Sequence, residues 1–134
     1  MGRAAAGKII EPPKANIRKH ERQTAEALAS AGFIVEFVVR STLDNAKTPD
    51  VLVDGVYWEI KSPKTDKLRQ ILYNLKKAKQ QSKHIIIDTQ RIKGIPDKSV
   101  LRFLKNVLKE HKDIKNLWVI DKHRKVIDVM STGE

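Results

Sequence analysis

Cysteine is absent from the 134 residues, which excludes a disulfide framework and any thiolate zinc site and fits a reducing compartment. Four histidines scattered along the chain do not make a zinc finger. Long apolar runs are missing too. The longest, Gly32 to Val39 and Ile85 to Ile87, are interrupted or fall far short of the roughly 20 residues that cross a bilayer, so no membrane span is expected. Met1 to Ile10 carries basic side chains without an apolar stretch, and no signal peptide is predicted. There is no internal repeat, and no low-complexity tract beyond the lysine-rich segment Lys76 to Lys83. Acid is scarce: 27 Lys and Arg stand against 16 Asp and Glu, a net charge of +11. A surface this basic attracts polyanions, of which nucleic acid is the commonest.

What is present reads as one α/β domain. Residues 1–15, with Ala4 to Gly7 and the Pro12-Pro13 pair, lack amphipathic period and are expected to be a flexible arm, leaving 16–134 as a single domain. Asn16 can cap a helix whose apolar stripe is Ile17, Thr24, Ala25, Leu28 and Ala31, with Gly32 as its stop. A strand follows over Phe33 to Val39, then a polar loop over Ser41 to Thr48. Val51 to Trp58 holds two apolar runs around Asp54-Gly55, a strong hairpin signal. Leu68, Ile71, Leu72, Leu75, Ala78 and Ser82 define a second helix, which leads into the buried run Ile85 to Ile87. Val100, Phe103, Leu104, Val107, Leu108 and His111 define a third. Leu117 to Ile120 and Val126 to Val129 form a closing hairpin. The predicted order is αβββαβαββ, a mixed central sheet flanked by helices, because strand-helix-strand crossovers join parallel neighbours.

Two features do not fit a purely structural account. A two-residue turn at Asp54-Gly55 pairs Val53 with Val56, Leu52 with Tyr57, Val51 with Trp58, and Asp50 with Glu59. Two carboxylates then oppose each other, and period two places Asp50, Glu59 and Lys61 on one face. Such a pair is unfavourable unless compensated, either by Lys61 as a salt-bridge partner or by a divalent cation, for which hard carboxylate ligands suit Mg²⁺ or Mn²⁺. On the first helix, counting about 100° per residue from Ile17, Glu21 falls near 40° and inside the apolar stripe, whereas Glu26 near 180° faces water. A carboxylate on a core-facing stripe needs a partner, a hydrogen bond or a metal.

Pro49-Asp50, then Glu59-Ile60-Lys61 on a strand, preceded by a helical glutamate, resembles the PD-(D/E)XK nuclease superfamily. The wider text, with Glu21, Ala25, Leu28, Gly32, Trp58 to Pro63, Ala78, Gln81 and Ile85 to Asp88, is similar to the C-terminal tRNA-nuclease toxin domains of contact-dependent growth inhibition proteins. Related domains of phage head proteins and mobile elements share it. The likeness covers Ile17 to Asp88. It implies a PD-(D/E)XK fold in which Asp50, Glu59 and the Ile60 carbonyl hold Mg²⁺ or Mn²⁺, with Zn²⁺ as a third option. Glu21 would assist indirectly or through water. Lys61 would activate the attacking water and stabilise developing charge. It also implies Gln81 as a substrate contact. His20 beside Glu21, Lys77 in the polar row Gln70, Asn74, Lys77 and Gln81, and Ser62 and Thr65 after the strand are further candidates for substrate contact. Ser62 and Thr65 could equally cap the helix.

A second match to the loose pattern, Pro96-Asp97 with Glu110-His111-Lys112, is set aside because its Glu and Lys are expected on a helix, where two residues apart means about 200°. The resemblance implies hydrolysis of structured RNA, tRNA in particular, by a toxin that a parent protein delivers to the cytoplasm of a target cell and an acidic immunity protein restrains. The alternatives are a DNA endonuclease of a phage or mobile element, a non-catalytic nucleic-acid-binding module, and a scaffold domain of a larger protein. With a charge of +11, affinity for nucleic acid should fall steeply and linearly in log salt, through counterion release. A titration that stays flat from low to physiological salt would exclude a polyanionic partner.

Overall fold

In a computed structural model of the chain, residues 7–13, 15–39 and 50–131 are described, Asp50 through its backbone alone. The elements are β1 (Lys8–Ile10), α1 (Lys19–Ser30), β2 (Ile34–Val38), β3 (Asp50–Val53), β4 (Val56–Lys61), α2 (Leu68–Lys79), β5 (His84–Asp88), α3 (Asp97–Leu108), β6 (Asn116–Ile120) and β7 (Val126–Asp128). The class is mixed α/β, as the sequence predicts. The chain divides into two compact units, Met1–Trp58 and Glu59–Glu134. The expected loop at Ser41 to Thr48, and Pro49, lie outside the described residues.

In the first unit β1 runs parallel to β2, and β2, β3 and the first half of β4 are antiparallel neighbours. Phe33, Val35, Phe37, Val51, Val53 and Trp58 are buried together with Thr24, Ala25, Ala27 and Leu28 of α1. Of the predicted stripe, Ile17 and Ala31 fall outside α1 and are half-buried, whereas Thr24, Ala25 and Leu28 are packed. The Thr24 hydroxyl is accommodated there because it donates to the His20 carbonyl at 3.0 Å. The hairpin register is the predicted one, with Val53 opposite Val56, Leu52 opposite Tyr57 and Val51 opposite Trp58. Asp54 and Gly55 both take positive φ, 50° and 85°, as a type I′ turn requires.

Three details depart from expectation. β1 lies inside the segment expected to be an arm, so the order gains a leading strand. Three residues are too few to carry a periodic signal, and the strand is held by its pairing with β2 and by the Gly7 N–H, which donates to the Ala29 carbonyl at 2.7 Å. A Cβ on Gly7 would fall 1.8 Å from the Phe33 carbonyl oxygen, so no other residue fits there. The first helix starts at Lys19 rather than after Asn16, because the Glu21 carboxylate accepts the Arg18 backbone N–H at 2.8 Å and caps the helix at that point. Glu110 and Lys112 lie in turns beyond the end of α3 rather than on it. The helical reason for setting them aside does not hold, although neither occupies a strand.

In the second unit the last half of β4 is parallel to β5, β5 is parallel to β6, and β6 turns back antiparallel into β7. α2 and α3 are the crossovers between the parallel strands. Ile71, Leu75 and Ala78 of α2 and Val100 and Leu104 of α3 form a core with Ile85, Ile87, Leu117 and Val119. Ile86 and Ile120 are fully buried as well, as expected of strands covered on both faces. Beyond the helix ends, Asp113 accepts from Lys79 and Lys83 Nζ, each at 3.2 Å. Desolvation pushes its carboxyl up, and the two ammonium groups more than reverse that, holding its pKa below the ordinary range. No helix of the described residues is long and apolar enough to cross a membrane.

A Cβ on Gly55 would meet open space, so Gly55→Ala isolates backbone strain. It should cost about 1 kcal/mol, read as a lower urea midpoint with unchanged slope, whereas Gly55→Asn, which tolerates positive φ, should recover most of the loss.

Candidate active site

The second unit begins on the residues that the sequence singles out. Glu59 is opposite Ile85, Ile60 opposite Ile86 and Lys61 opposite Ile87. Alternation therefore places Glu59 and Lys61 on one face of β4 and Ile60 on the other. The Lys61 Nζ lies 3.2 Å from Glu59 Oε2, with side-chain exposures of 29% and 18%. This is the salt bridge that the sequence offers as the simpler compensation for the acid. The pair joins a carboxylate to an ammonium with three donors, and both side chains are half-buried.

Asp50 is the first residue of β3, opposite Val38, and its side chain lies outside the described residues. Glu21 is half-buried, as its helical phase predicts, and Glu26 is exposed. One Glu21 oxygen is committed to the cap on α1. His20 is half-buried beside it. Ser62, directly after β4, accepts from Arg91: its carbonyl takes Nη2 at 2.7 Å and Nε at 3.1 Å, and its hydroxyl lies 3.3 Å from Nε. Thr65 Oγ1 accepts the Lys67 N–H at 3.0 Å, a turn bond two residues on that leads into α2 but does not cap it, because the N-cap is Lys67. Lys77 is exposed on α2, and Gln81 is exposed in the turn between α2 and β5. Among the described residues no group of three or more His, Asp and Glu side chains is arranged to hold a metal ion.

Sequence reasoning missed the polar cluster at the carboxyl ends of β5 and β6. Asp88 is fully buried. Its two oxygens accept the Arg124 guanidinium fork at 2.8 and 2.9 Å, and the Gln90 backbone and side chain at 2.9 and 3.2 Å. Asp121, also buried, accepts the His123 and Lys125 N–H groups on one oxygen, at 2.9 and 2.8 Å. Asp88 has all its acceptor positions engaged and serves as an anchor for the β6–β7 turn. Its legible signal is an acid directly after three isoleucines.

Residues 47–126 match the family described as Contact-dependent growth inhibition CdiA C-terminal domain. The fold is similar to that of a solved structure, a CdiA-CT/CdiI toxin and immunity complex from Burkholderia pseudomallei, with a TM-score of 0.59 and 20% identity over 92% of this chain and 96% of that one. No curated protein matches.

Removing the cation from a buried ion pair strands the acid. Arg124→Ala should therefore destabilise the chain by about 3 kcal/mol in denaturant titration. Arg124→Lys should restore only part of that, since an ammonium cannot supply the two parallel bonds.

Proposed function

The chain belongs to the family of contact-dependent growth inhibition CdiA C-terminal domains, a toxin family, and from that footing we propose that it is a metal-dependent endonuclease of the PD-(D/E)XK type that hydrolyses phosphodiester bonds of structured RNA, tRNA in particular. The observation that carries the reading is the Glu59–Lys61 pair, an acid and an ammonium 3.2 Å apart and half-buried on one strand face, in a chain of net charge +11.

The donors in question are all oxygens: the Glu59 carboxylate, the Ile60 carbonyl, Asp50 as the expected partner rung of Glu59, and Glu21 through the oxygen that its cap leaves over. Such a set fits Mg²⁺ or Mn²⁺, with Zn²⁺ a third option. A divalent cation bound there supplies positive charge to the phosphate and favours ionisation of a water. Lys61 does the rest from the protein side. One of its donors engages Glu59, and the others can orient the attacking water or meet a non-bridging phosphate oxygen as charge builds in the transition state. Ser62, fixed by Arg91, holds the end of β4 in place beside it. Water adds to phosphorus, the bond to the leaving ribose oxygen breaks, and that oxygen takes up a proton.

The solved toxin and immunity complex supports expecting a partner for this chain as well. With the charge given above, that partner is an acidic immunity protein, and the site of action is the cytoplasm of a cell reached through a parent protein.

Incubation with total tRNA, ribosomal RNA, plasmid and single-stranded DNA, with Mg²⁺ or with chelator, tests the reading. Loss of tRNA in Mg²⁺ alone is expected. Glu59→Ala and Lys61→Ala should each abolish cleavage while fold and RNA affinity persist, and Glu21→Ala should cost less than Asp50→Ala. Loss of plasmid with RNA intact would give the DNA enzyme instead, and survival of all four substrates would leave a binding module.

A further inference from the structure

The outer face of α2 has a composition that the core does not explain. Its twelve residues, Leu-Arg-Gln-Ile-Leu-Tyr-Asn-Leu-Lys-Lys-Ala-Lys, include no acid. Arg69, Tyr73, Lys76 and Lys77, with Gln80 just beyond the helix, fall within about 100° of one another around the axis. They lie opposite Ile71, Leu75 and Ala78, the residues that α2 buries. All five are exposed. Tyr73, in the middle of the strip, leaves 53% of its surface to solvent, and Lys77 Nζ stands 5.3 Å from its ring centroid. Alongside, the Gln70 amide donates to Asn74 at 3.3 Å.

An aromatic ring with this exposure contributes nothing to the core. A ring that anchors a protein interface ordinarily fills a desolvated pocket on the partner within a largely apolar patch, whereas Tyr73 is surrounded by cations and amides. A flat π-face flanked by positive charges spaced along a helix suits a ligand that alternates flat faces with negative charges. That ligand is a nucleic-acid strand whose bases are unpaired, since a base inside a duplex offers no face. From Arg69 to Gln80 the strip is about 16 Å long, enough for roughly five nucleotides at 3.4 Å each.

We propose that this face of α2 docks an unpaired stretch of the RNA substrate, with a base stacked on Tyr73 and phosphates on Arg69, Lys76 and Lys77. The inference deepens the RNA-nuclease reading and rests on it for the choice of RNA.

The test measures binding in chelator, where cleavage plays no part, by fluorescence anisotropy with three probes: a short labelled single-stranded RNA without self-complementarity, the DNA strand of the same sequence, and the RNA paired to its complement. For the single-stranded RNA, Tyr73→Ala should weaken binding at least about fivefold and Tyr73→Phe should stay within about twofold, both with an unchanged circular dichroism spectrum. Replacing Lys76 and Lys77 together by Ala should lower the slope of log affinity against log salt by about 1.4. The duplex should be indifferent to Tyr73. Equal binding of single-stranded RNA by wild type and Tyr73→Ala would overturn the proposal, as would an equal loss on the duplex or a Tyr73 effect confined to the DNA strand. Loss of an acidic protein partner on Tyr73→Ala with RNA binding intact would overturn it in favour of a protein interface. A Tyr73 effect without any cleavage of tRNA in Mg²⁺ would sink the nuclease reading and leave this one standing, and cleavage indifferent to Tyr73 would do the reverse.

Discussion

The β3–β4 turn sets which side chains β4 shows to each side. Asp54 and Gly55 take positive φ in succession, and no other two-residue geometry matches the twist of the strands so well. Asp54 adds a second constraint: its N–H donates to the Ile34 carbonyl and its carboxylate accepts the Ile34 N–H, both at 2.8 Å, which ties the turn to β2. With the register fixed, Trp58 is buried. Alternation along one strand then commits Ile60 to the side of Trp58, and Glu59 and Lys61 to the other. A slip of a single residue would exchange the two sets, exposing the tryptophan and turning the acid-ammonium pair to the face that Trp58 now occupies.

Two ion pairs of the second unit contrast in geometry. Arg124 and Asp88 meet through two parallel bonds with the acid fully buried, an arrangement whose acceptor capacity is used up and which holds the β6–β7 turn, where Arg124 itself takes a φ of 66°. Glu59 and Lys61 meet at 3.2 Å with both side chains half-buried. The first fixes its partners through two parallel bonds, whereas the second joins them through an ammonium that can rotate among three donors. Arg91 connects the two regions by clasping Ser62 at the end of β4.

Interactions between near neighbours in sequence were legible, and distant ones were not. The hairpin follows from two turn residues, the Glu59–Lys61 pair from a spacing of two on a strand, and α2 from its apolar period, so each could be read without the fold. That the sheet is partly parallel followed from helix-strand alternation, but which strands pair did not. Asp88–Arg124 and Ser62–Arg91 join residues far apart in the chain, and nothing in the text around either partner announces the other. Glu21 was legible in phase but not in its bond: counting angles from Ile17 placed it on the core side, whereas its nearest duty is to the backbone three residues earlier. For Asp50 the sequence supplies the expected partner, and the strand places its backbone opposite Val38.

The fit of Gly7 against the Phe33 carbonyl has a consequence for solubility. β2 holds Ile34, Val35, Phe37 and Val38 in five residues, and β1 covers one of its edges with only three. A side chain at position 7 would collide with backbone and lift that cover. The bared edge would be apolar, regular and without proline, the kind of template on which other chains assemble. One missing Cβ thus keeps covered an edge that would otherwise invite strand-by-strand assembly.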